Sequence, residues 1–448
     1  MASVPKEDLV DLTVPEPGGR WAFLFLWLFT VAIFARPEDI FPLLGQLHLT
    51  FIFAGCAGIA FIGALVSGRM RFFWAPELKI TLLLTGWYAV GIPFAYWSSG
   101  SLQIFVNVWL KTLFIFLLLT QTLLTLGRVR ALLWAIILSE LAVTGYSLTQ
   151  SSRVTWVGER MLGSNQGILG WNFLGIAVAI TLPYIAAIFV LRCSAFKSLV
   201  LVAAVLSMIW MLMLTASRGG VMNVVVSVVL TWFFVLRGSS RGRIVGAGIV
   251  LALALAIGLA PQVLWQRLQT IWGDTDIYAS QVAASAEESK EDHLSVLVRS
   301  LQYTIERPIF GLGLGNFQVA SGTELGQPSA WMGTHNTFTE ISSEGGIPAL
   351  LLFLSLLVCA IRNVGRASMS LVSCPESTEL QLMARATRAS LLSFAFGAFF
   401  AHLAYEYYCF YPLAVAVGTQ YVAARYAPFA SRALPIPLSS KHLPQVAC

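Results

Sequence analysis

A chain of 448 residues in which 57 % are hydrophobic and 11 % charged cannot be a water-soluble globule, because soluble domains carry roughly 25 % charged residues. The formal net charge of +6 follows from where Lys and Arg sit along the chain, and it requires no nucleic-acid partner. The six cysteines, Cys56, Cys193, Cys359, Cys374, Cys409 and Cys448, contain no CxxC pair, so neither a disulfide framework nor a zinc site is indicated.

Residues 1–20 form a polar, mildly acidic tail with Lys6, Glu7, Asp8, Asp11 and Glu16. It lacks the basic region, short apolar core and cleavage site of a signal peptide, so the first span is expected to serve as the targeting signal. Apolar runs then recur at 20–35, 43–66, 77–97, 103–126, 131–149, 169–191, 198–216, 219–236, 244–265, 346–361, 389–405 and 408–425. Each is near the ~20 residues that cross ~30 Å of hydrocarbon. The composition predicts an all-α, polytopic membrane bundle of about twelve transmembrane helices.

The basic residues orient it, because cytoplasmic loops collect Lys and Arg. With the N-terminus inside, the cytoplasmic connections hold Arg69 and Arg71; Arg128 and Arg130; Arg192 and Lys197; Arg237, Arg241 and Arg243; then Arg362, Arg366, Arg385 and Arg388. This divides the chain into the tail 1–20, spans one to nine over 21–265, an outer segment 266–345, spans ten to twelve over 346–425, and a second cytoplasmic tail 426–448.

The outer segment of about 80 residues is the only long connection, and long connections in compact proteins are usually functional. Its first part, Gly273 to Asp292, is acidic and rich in Ala and Ser. From Leu294 the residues Leu294, Leu297, Val298, Leu301 and Ile305 follow amphipathic helical spacing up to Pro308. Arg299 falls about 140° from Leu294 at 100° per residue, so the apolar stripe is expected to pack on the bundle with Arg299 facing water or a cavity. Gly311-Leu-Gly-Leu-Gly-Asn316 follows no strand of a βαβ unit, which argues for a tight turn over a dinucleotide site. Thr334 or His335 is placed to cap a short helix that Gly345-Gly346 interrupts, and Pro348 suits the first turn of the tenth span.

His335, at that helix start, would feel the positive end of the helix dipole and stay neutral, able to take a proton; a lone histidine in such a place is more often a hydrogen-bonded interfacial residue, and it is the arginines on the same side that shift the balance. Arginines recur on the same side: Arg218 in Thr215-Ala-Ser-Arg-Gly-Gly220, and Arg160 in Glu159-Arg-Met-Leu-Gly163. Guanidinium groups bind phosphate bidentately, and Gly219-Gly220 could let backbone N–H groups approach the same anion. Snorkelling anchors or pairs with Glu159 and Glu306 are the competing reading. Glu340 and Glu344, four residues apart, share a helix face and could hold an arginine, bind sugar hydroxyls or be solvated. His402 and Glu406, near Tyr405, Tyr407 and Tyr408, read as an interfacial aromatic belt with a polar pair ending the eleventh span. Lys111, inside the fourth span, calls for a partner within the bundle. No HExxH, His cluster or outer Asp-x-Asp pair apart from Asp274-Thr-Asp276 supports a metal site.

Taken in order, Arg160-Met-Leu-Gly with Trp171-Asn172, the Thr-x-Ser-Arg-Gly-Gly box at 215–220, Arg299 before Pro308 and Gly311-Leu-Gly-Leu-Gly-Asn-Phe317, and His335-Asn336 through Glu344-Gly345-Gly346 resemble the O-antigen ligase and polymerase superfamily. The resemblance covers most of the chain and implies a GT-C-like membrane glycosyltransferase of the bacterial inner membrane, with 266–345 as a periplasmic loop. It implies an undecaprenyl-diphosphate-linked glycan as donor, lipid A-core as acceptor, and no metal or other cofactor. By similarity Arg218 and Arg299, with Arg160, would bind the diphosphate, His335 would act on the acceptor, and Asn336, Glu340 and Glu344 would support it. Other acceptors in the superfamily are a second polyprenyl-linked glycan, as in a polymerase, and a Ser/Thr-bearing protein. A polyprenyl-glycan flippase is the reading from a different class, although repeat-related halves with broken helices are not evident.

Overall fold

In the computed structural model, which describes residues 18–149, 155–157, 160–162, 171–191, 193–269, 281–326, 331–370 and 375–432, the chain is a helical bundle. In order it comprises α1 (Arg20–Ala35), α2 (Leu49–Val66), α3 (Pro76–Gly91), α4 (Ser98–Thr122), α5 (Leu126–Thr149), the hairpin β1 (Thr155–Val157) and β2 (Arg160–Leu162), α6 (Trp171–Val190), α7 (Ala195–Thr215), α8 (Arg218–Leu236) and α9 (Ser240–Gly258). Then come α10 (Gln262–Gln269), α11 (Gln281–Glu306), α12 (Phe317–Leu325), α13 (Thr337–Ser370), α14 (Pro375–Gly397) and α15 (Phe410–Arg432). Each of the twelve expected apolar segments overlaps a helix, although 244–265 runs across both α9 and α10 and 389–405 continues past the end of α14. Among the described residues, eight candidates, α2 with the residues just before it, α4 to α9 and α13, are long and apolar enough to cross a membrane. The class is therefore an all-α polytopic membrane bundle, while the count of twelve remains a sequence expectation. The hairpin, with Trp156 opposite Met161, is too short to change that class.

Local chemistry sets the helix starts. Ser194, Ser217 and Ser239 precede α7, α8 and α9, and their hydroxyls accept from the backbone N–H of Lys197, Gly220 and Gly242 at 3.4, 3.2 and 2.9 Å. Each satisfies one of the donors that a helix start leaves open. Pro76 occupies the first turn of α3, where its missing N–H is harmless.

Burial separates inner from outer helices. The apolar window of α6 is 83 % buried, that of α2 only 22 %, so α6 runs through the interior and α2 presents its side chains to the surroundings. Small residues permit the closest crossing: a Cβ on Gly175 of α6 would lie 2.3 Å from the Gly220 Cα of α8, as expected where helices meet without a hydrophobic driving force. Polar pins add specificity. The buried Glu77 accepts from Asn363 and Gln420, both at 3.0 Å, tying α3 to α13 and α15.

The two ends of the bundle are chemically distinct. At one, Arg128 donates to the carbonyl of Gly18, Gln121 exchanges hydrogen bonds with the backbone of Phe73, and Arg130 pairs with Glu379 at 2.9 Å. At the other, the backbone N–H of Tyr96 meets the carbonyl of Leu312, Gly219 packs against Phe400, and Thr112 donates to the carbonyl of Tyr405. The second end also carries α10 to α12 and His335.

Within α13 the helix breaks at Gly346 (φ 77°, ψ 177°), as the Gly-Gly pair predicts. The break lets the Ile347 N–H reach the carbonyl of Pro308 at 2.8 Å. A Cβ there would lie 2.0 Å from the carbonyl oxygen of Ile309. Gly346→Ala therefore combines a backbone penalty of about 1–3 kcal/mol with a clash that must move the 308–310 turn. A thermal melt in detergent should show a markedly lowered transition; an unchanged melt would contradict this account of the kink.

Two sequence expectations for the outer segment are corrected. The helix ending at Pro308 begins at Gln281, because Ala, Glu, Gln and Lys in 281–292 favour helix; residues 270–280 lie outside the described part. Its orientation is also reversed. Leu294, Val298, Leu301 and Ile305 are 46–79 % exposed, while Val296, Ser300 and Tyr303 are buried. The face packed on the protein is chosen by Tyr303, which donates to Glu324 and packs on Phe317. The apolar stripe is left outward, as suits a helix lying against lipid.

Candidate functional site

The glycine run after α11 makes a cradle for a carboxylate of its own chain. Gly311, Gly313 and Gly315 have φ of 65°, 91° and 69°, which only glycine adopts readily. The turn directs the N–H groups of Gly315 and Phe317 onto the Glu344 carboxylate at 2.6 and 2.9 Å, and the Tyr405 hydroxyl donates to it at 2.6 Å. The N–H groups of Leu312 and Gly313 bind the carbonyls of Ser343 and Glu344. Successive N–H groups of this kind form an anion-binding nest, and here the anion is Glu344. The Asn316 amide locks the turn to the start of α4 by donating to the carbonyl of Trp97 and to Ser101 Oγ.

The start of α13 is strapped to the loop that follows α14. The N–H of Thr337 donates to the carbonyl of Ala398 at 2.8 Å, its hydroxyl donates to the carbonyl of Ala401 at 2.7 Å and accepts from the N–H of Leu403, and Glu340 accepts from the N–H of Ala404 at 3.0 Å. The helix cap is Asn336, whose Oδ1 accepts from Phe338 and Thr339 at 2.9 and 3.2 Å, two residues beyond Thr334 and one beyond His335, the caps expected. An amide side chain reaches the second and third N–H groups of the helix, whereas His335 takes a left-handed conformation, φ 50°.

These straps bring His402 to His335. Their rings meet edge to face at 5.3 Å, and on its other side His335 stacks on His293 of α11 at 4.5 Å and 26°. Gly333 permits the approach, since a Cβ there would lie 3.1 Å from the His402 ring. The Nδ1 atoms of His335 and His402 are buried and have no hydrogen-bond partner among the described residues. Burial, then His293 and His402, push His335 down to about 3. Burial and His293 also lower His402. His335 is thus a neutral imidazole, able to accept a proton. Among the described residues, no group of three or more His, Cys, Asp or Glu side chains is disposed to hold a metal ion.

Cations lie at the same end. Arg218 opens α8, and the adjacent Gly219 packs on Phe400, two residues before His402. Beside Arg218 stands Arg267 of α10, 4 % exposed, whose guanidinium is pulled down to about 10 by burial and by Arg218. Two neighbouring guanidiniums, one buried, favour an anion between or beside them. Arg299 is turned toward α12, donating to Ser321 Oγ at 3.4 Å, and shares the surroundings of Tyr303. The backbone of Arg160 lies in β2 beside α7; its side chain, like those of Trp171 and Asn172, lies outside the described part.

The structure therefore revises several site residues. Asn336 is a cap. Glu340 and Glu344, expected to hold an arginine, bind hydroxyls or face solvent, are engaged by protein N–H groups and a tyrosine. Gly220 serves helix contact. The helix expected to extend to 405 stops at Gly397, so His402 and Glu406 do not form one helical pair; His402 joins His335, while Glu406 faces a separate groove. Among the described residues Lys111 has no carboxylate partner, its ammonium lying 5.0 Å from the Phe51 ring. Arg267 and His293 were not singled out by the sequence. A signal existed for Arg267, an arginine at the outer end of a span where basic residues are scarce, but none for His293.

Among comparisons with known proteins, residues 203–354, about a third of the chain, match the family model described as O-antigen ligase. No curated protein matches. The matched segment contains Arg218, Arg267, His293, Arg299, His335 and Glu344, while His402 and Tyr405 lie beyond it. The match makes this segment similar to the O-antigen ligase family and supports the resemblance to the O-antigen ligase and polymerase superfamily.

Proposed function

We propose that this protein is an O-antigen ligase, an inverting, metal-independent glycosyltransferase that moves a glycan from undecaprenyl diphosphate to lipid A-core. We place it in the bacterial inner membrane with the site facing the periplasm, serving lipopolysaccharide biosynthesis. The observation that carries this reading is a neutral, partly buried imidazole, His335, at the same end of a membrane bundle as the paired Arg218 and Arg267.

In the proposed reaction His335 takes the proton of an acceptor hydroxyl as its oxygen attacks the anomeric carbon. The bond from that carbon to the diphosphate oxygen breaks, and undecaprenyl diphosphate leaves as an anion. Arg218 and Arg267 stabilise the growing negative charge, with Arg299, and Arg160 through its resemblance, extending the cationic surface along the donor. Attack from the face opposite the leaving group inverts the centre. A histidine at about 3 is a weak base before donor binds; the diphosphate's charge nearby raises its proton affinity, so basicity appears when the donor is in place.

The deciding experiment combines purified protein, an undecaprenyl-diphosphate glycan and truncated lipopolysaccharide, read as a shift in lipopolysaccharide mass. Chain growth from donor alone, with lipopolysaccharide unchanged, would identify a polymerase instead; transfer to a Ser/Thr-bearing protein only would identify a protein O-oligosaccharyltransferase, and lipid translocation without transfer a flippase. Arg218→Ala and Arg267→Ala should each raise the donor KM by about tenfold or more, as expected for a lost charge-assisted contact of ~1.4 kcal/mol or more. Arg299→Ala should weaken donor use less, given its tie to Ser321. Unchanged donor kinetics in all three would remove the diphosphate assignment.

A further inference from the structure

A groove of about 630 Å³ lies apart from the histidine cluster, between α1, α2 and α4, and is closed at one end by the loop after α14. That volume is in the range of small-molecule sites. Its walls are mostly apolar, with Phe29, Ile33, Ala54 and Ile115 among them, and its polar groups include Asn107, Lys111 and Glu406. Asn107 sits in a π-helical turn, Phe105–Trp109, a local widening that occurs often at functional sites.

The groove reaches the end of the bundle that carries His335. Lys111 lies against Phe51, in the first turn of α2, and its neighbour Thr112 donates to the carbonyl of Tyr405 at 2.8 Å. Lys111 is therefore level with the start of α2, about midway along α4. Around it Phe51, Val106 and Phe114 are 62, 46 and 39 % exposed, an apolar rim open to the side. Lys111 and Glu406 line this space together without pairing with one another, since no ion pair joins them among the described residues. Burial pushes the Glu406 carboxyl above its ordinary range, a cost that a bound ammonium would relieve.

We propose that this groove is a binding site for a zwitterionic phospholipid carrying a primary ammonium, of the phosphatidylethanolamine type, with its phosphate at Lys111, its ammonium at Glu406 and an acyl chain along the apolar wall. Both signs of charge are needed. A headgroup carrying only phosphate meets the carboxylate of Glu406, and a trimethylated ammonium offers it no N–H donor. The lipid would brace Glu406 and Tyr407, which follow the loop holding His402.

Native mass spectrometry of the full-length protein, released from bilayers of equal parts phosphatidylethanolamine, phosphatidylglycerol and phosphatidylcholine, tests this. One phosphatidylethanolamine should be retained in preference to the others. Lys111→Gln and Glu406→Gln should each reduce that retention about tenfold, the size of one lost charge contact, and Lys111→Arg should restore it in a protein whose melting temperature is unchanged. Equal retention of the three lipids, full retention by both Gln variants, or displacement of the bound lipid by a polyprenyl phosphate would overturn the proposal.

Discussion

Replacement of His335 by Ala is expected to lower glycan transfer by about 10² to 10⁴, the range for loss of a positioned general base, while the helical fold persists. His335→Asn is the sharper variant. The residue sits at φ 50°, a left-handed conformation that Asn tolerates better than Ala, so a loss of activity in a well-folded His335→Asn protein isolates the chemistry. Substantial transfer by that variant would sink the base assignment. The pH profiles provide an independent reading. Because His335 is held down to about 3 in the protein without substrate, kcat/KM should show no loss from this group between pH 8 and 5. The kcat profile, which reports the donor complex, should show its acidic limb at higher pH.

The same shift has a stability consequence of defined sign. Below about 6.5 the unfolded imidazole takes up a proton that the folded one refuses, so the unfolded state binds more protons between 6.5 and 3. Stability therefore falls as pH falls through that window. His335→Asn should flatten part of this dependence in pH-resolved melts, whereas a wild-type slope retained by the variant would assign the dependence to other groups.

Glu344→Ala is expected to have the largest effect on folding. It removes the acceptor of two backbone N–H groups and the Tyr405 hydroxyl in a buried place, and each stranded donor costs about 1–3 kcal/mol. The loss of several kcal/mol is a large share of ordinary stability. The variant should melt far below wild type or fail to accumulate, and Glu344→Gln, which keeps one acceptor oxygen, should lie between. A Glu344→Ala protein with normal melting but altered acceptor KM would return the residue to the substrate side.

The pair His335 and Glu344 shows how far residue patterns reach. Both stand out in sequence, on either side of one short helix. The neutrality expected of His335 from its place beside a helix start is kept, but burial, His293 and His402 hold it there and the cap is Asn336. The role of a carboxylate depends on which donors surround it, and those of Glu344 come from residues 315, 317 and 405. Likewise α11 has a clear amphipathic period, but period alone does not say which face is covered. In a membrane, the apolar face can be left to lipid while Tyr303 and Ser300 turn inward.

By itself, the sequence determined that this is a polytopic helical membrane protein, where its apolar segments lie, that Gly346 breaks α13 and that Pro308 ends α11. These follow from composition, hydropathy and backbone stereochemistry, which act over a few residues at a time. Tertiary structure alone decided that His293, His335 and His402 form one cluster, that Arg267 stands beside Arg218, and that the glycine run holds Glu344. Those groups are separated by tens to more than a hundred positions, and only the packing of α8, α10, α11, α13 and the loop after α14 sets the distances on which their charges and protons depend.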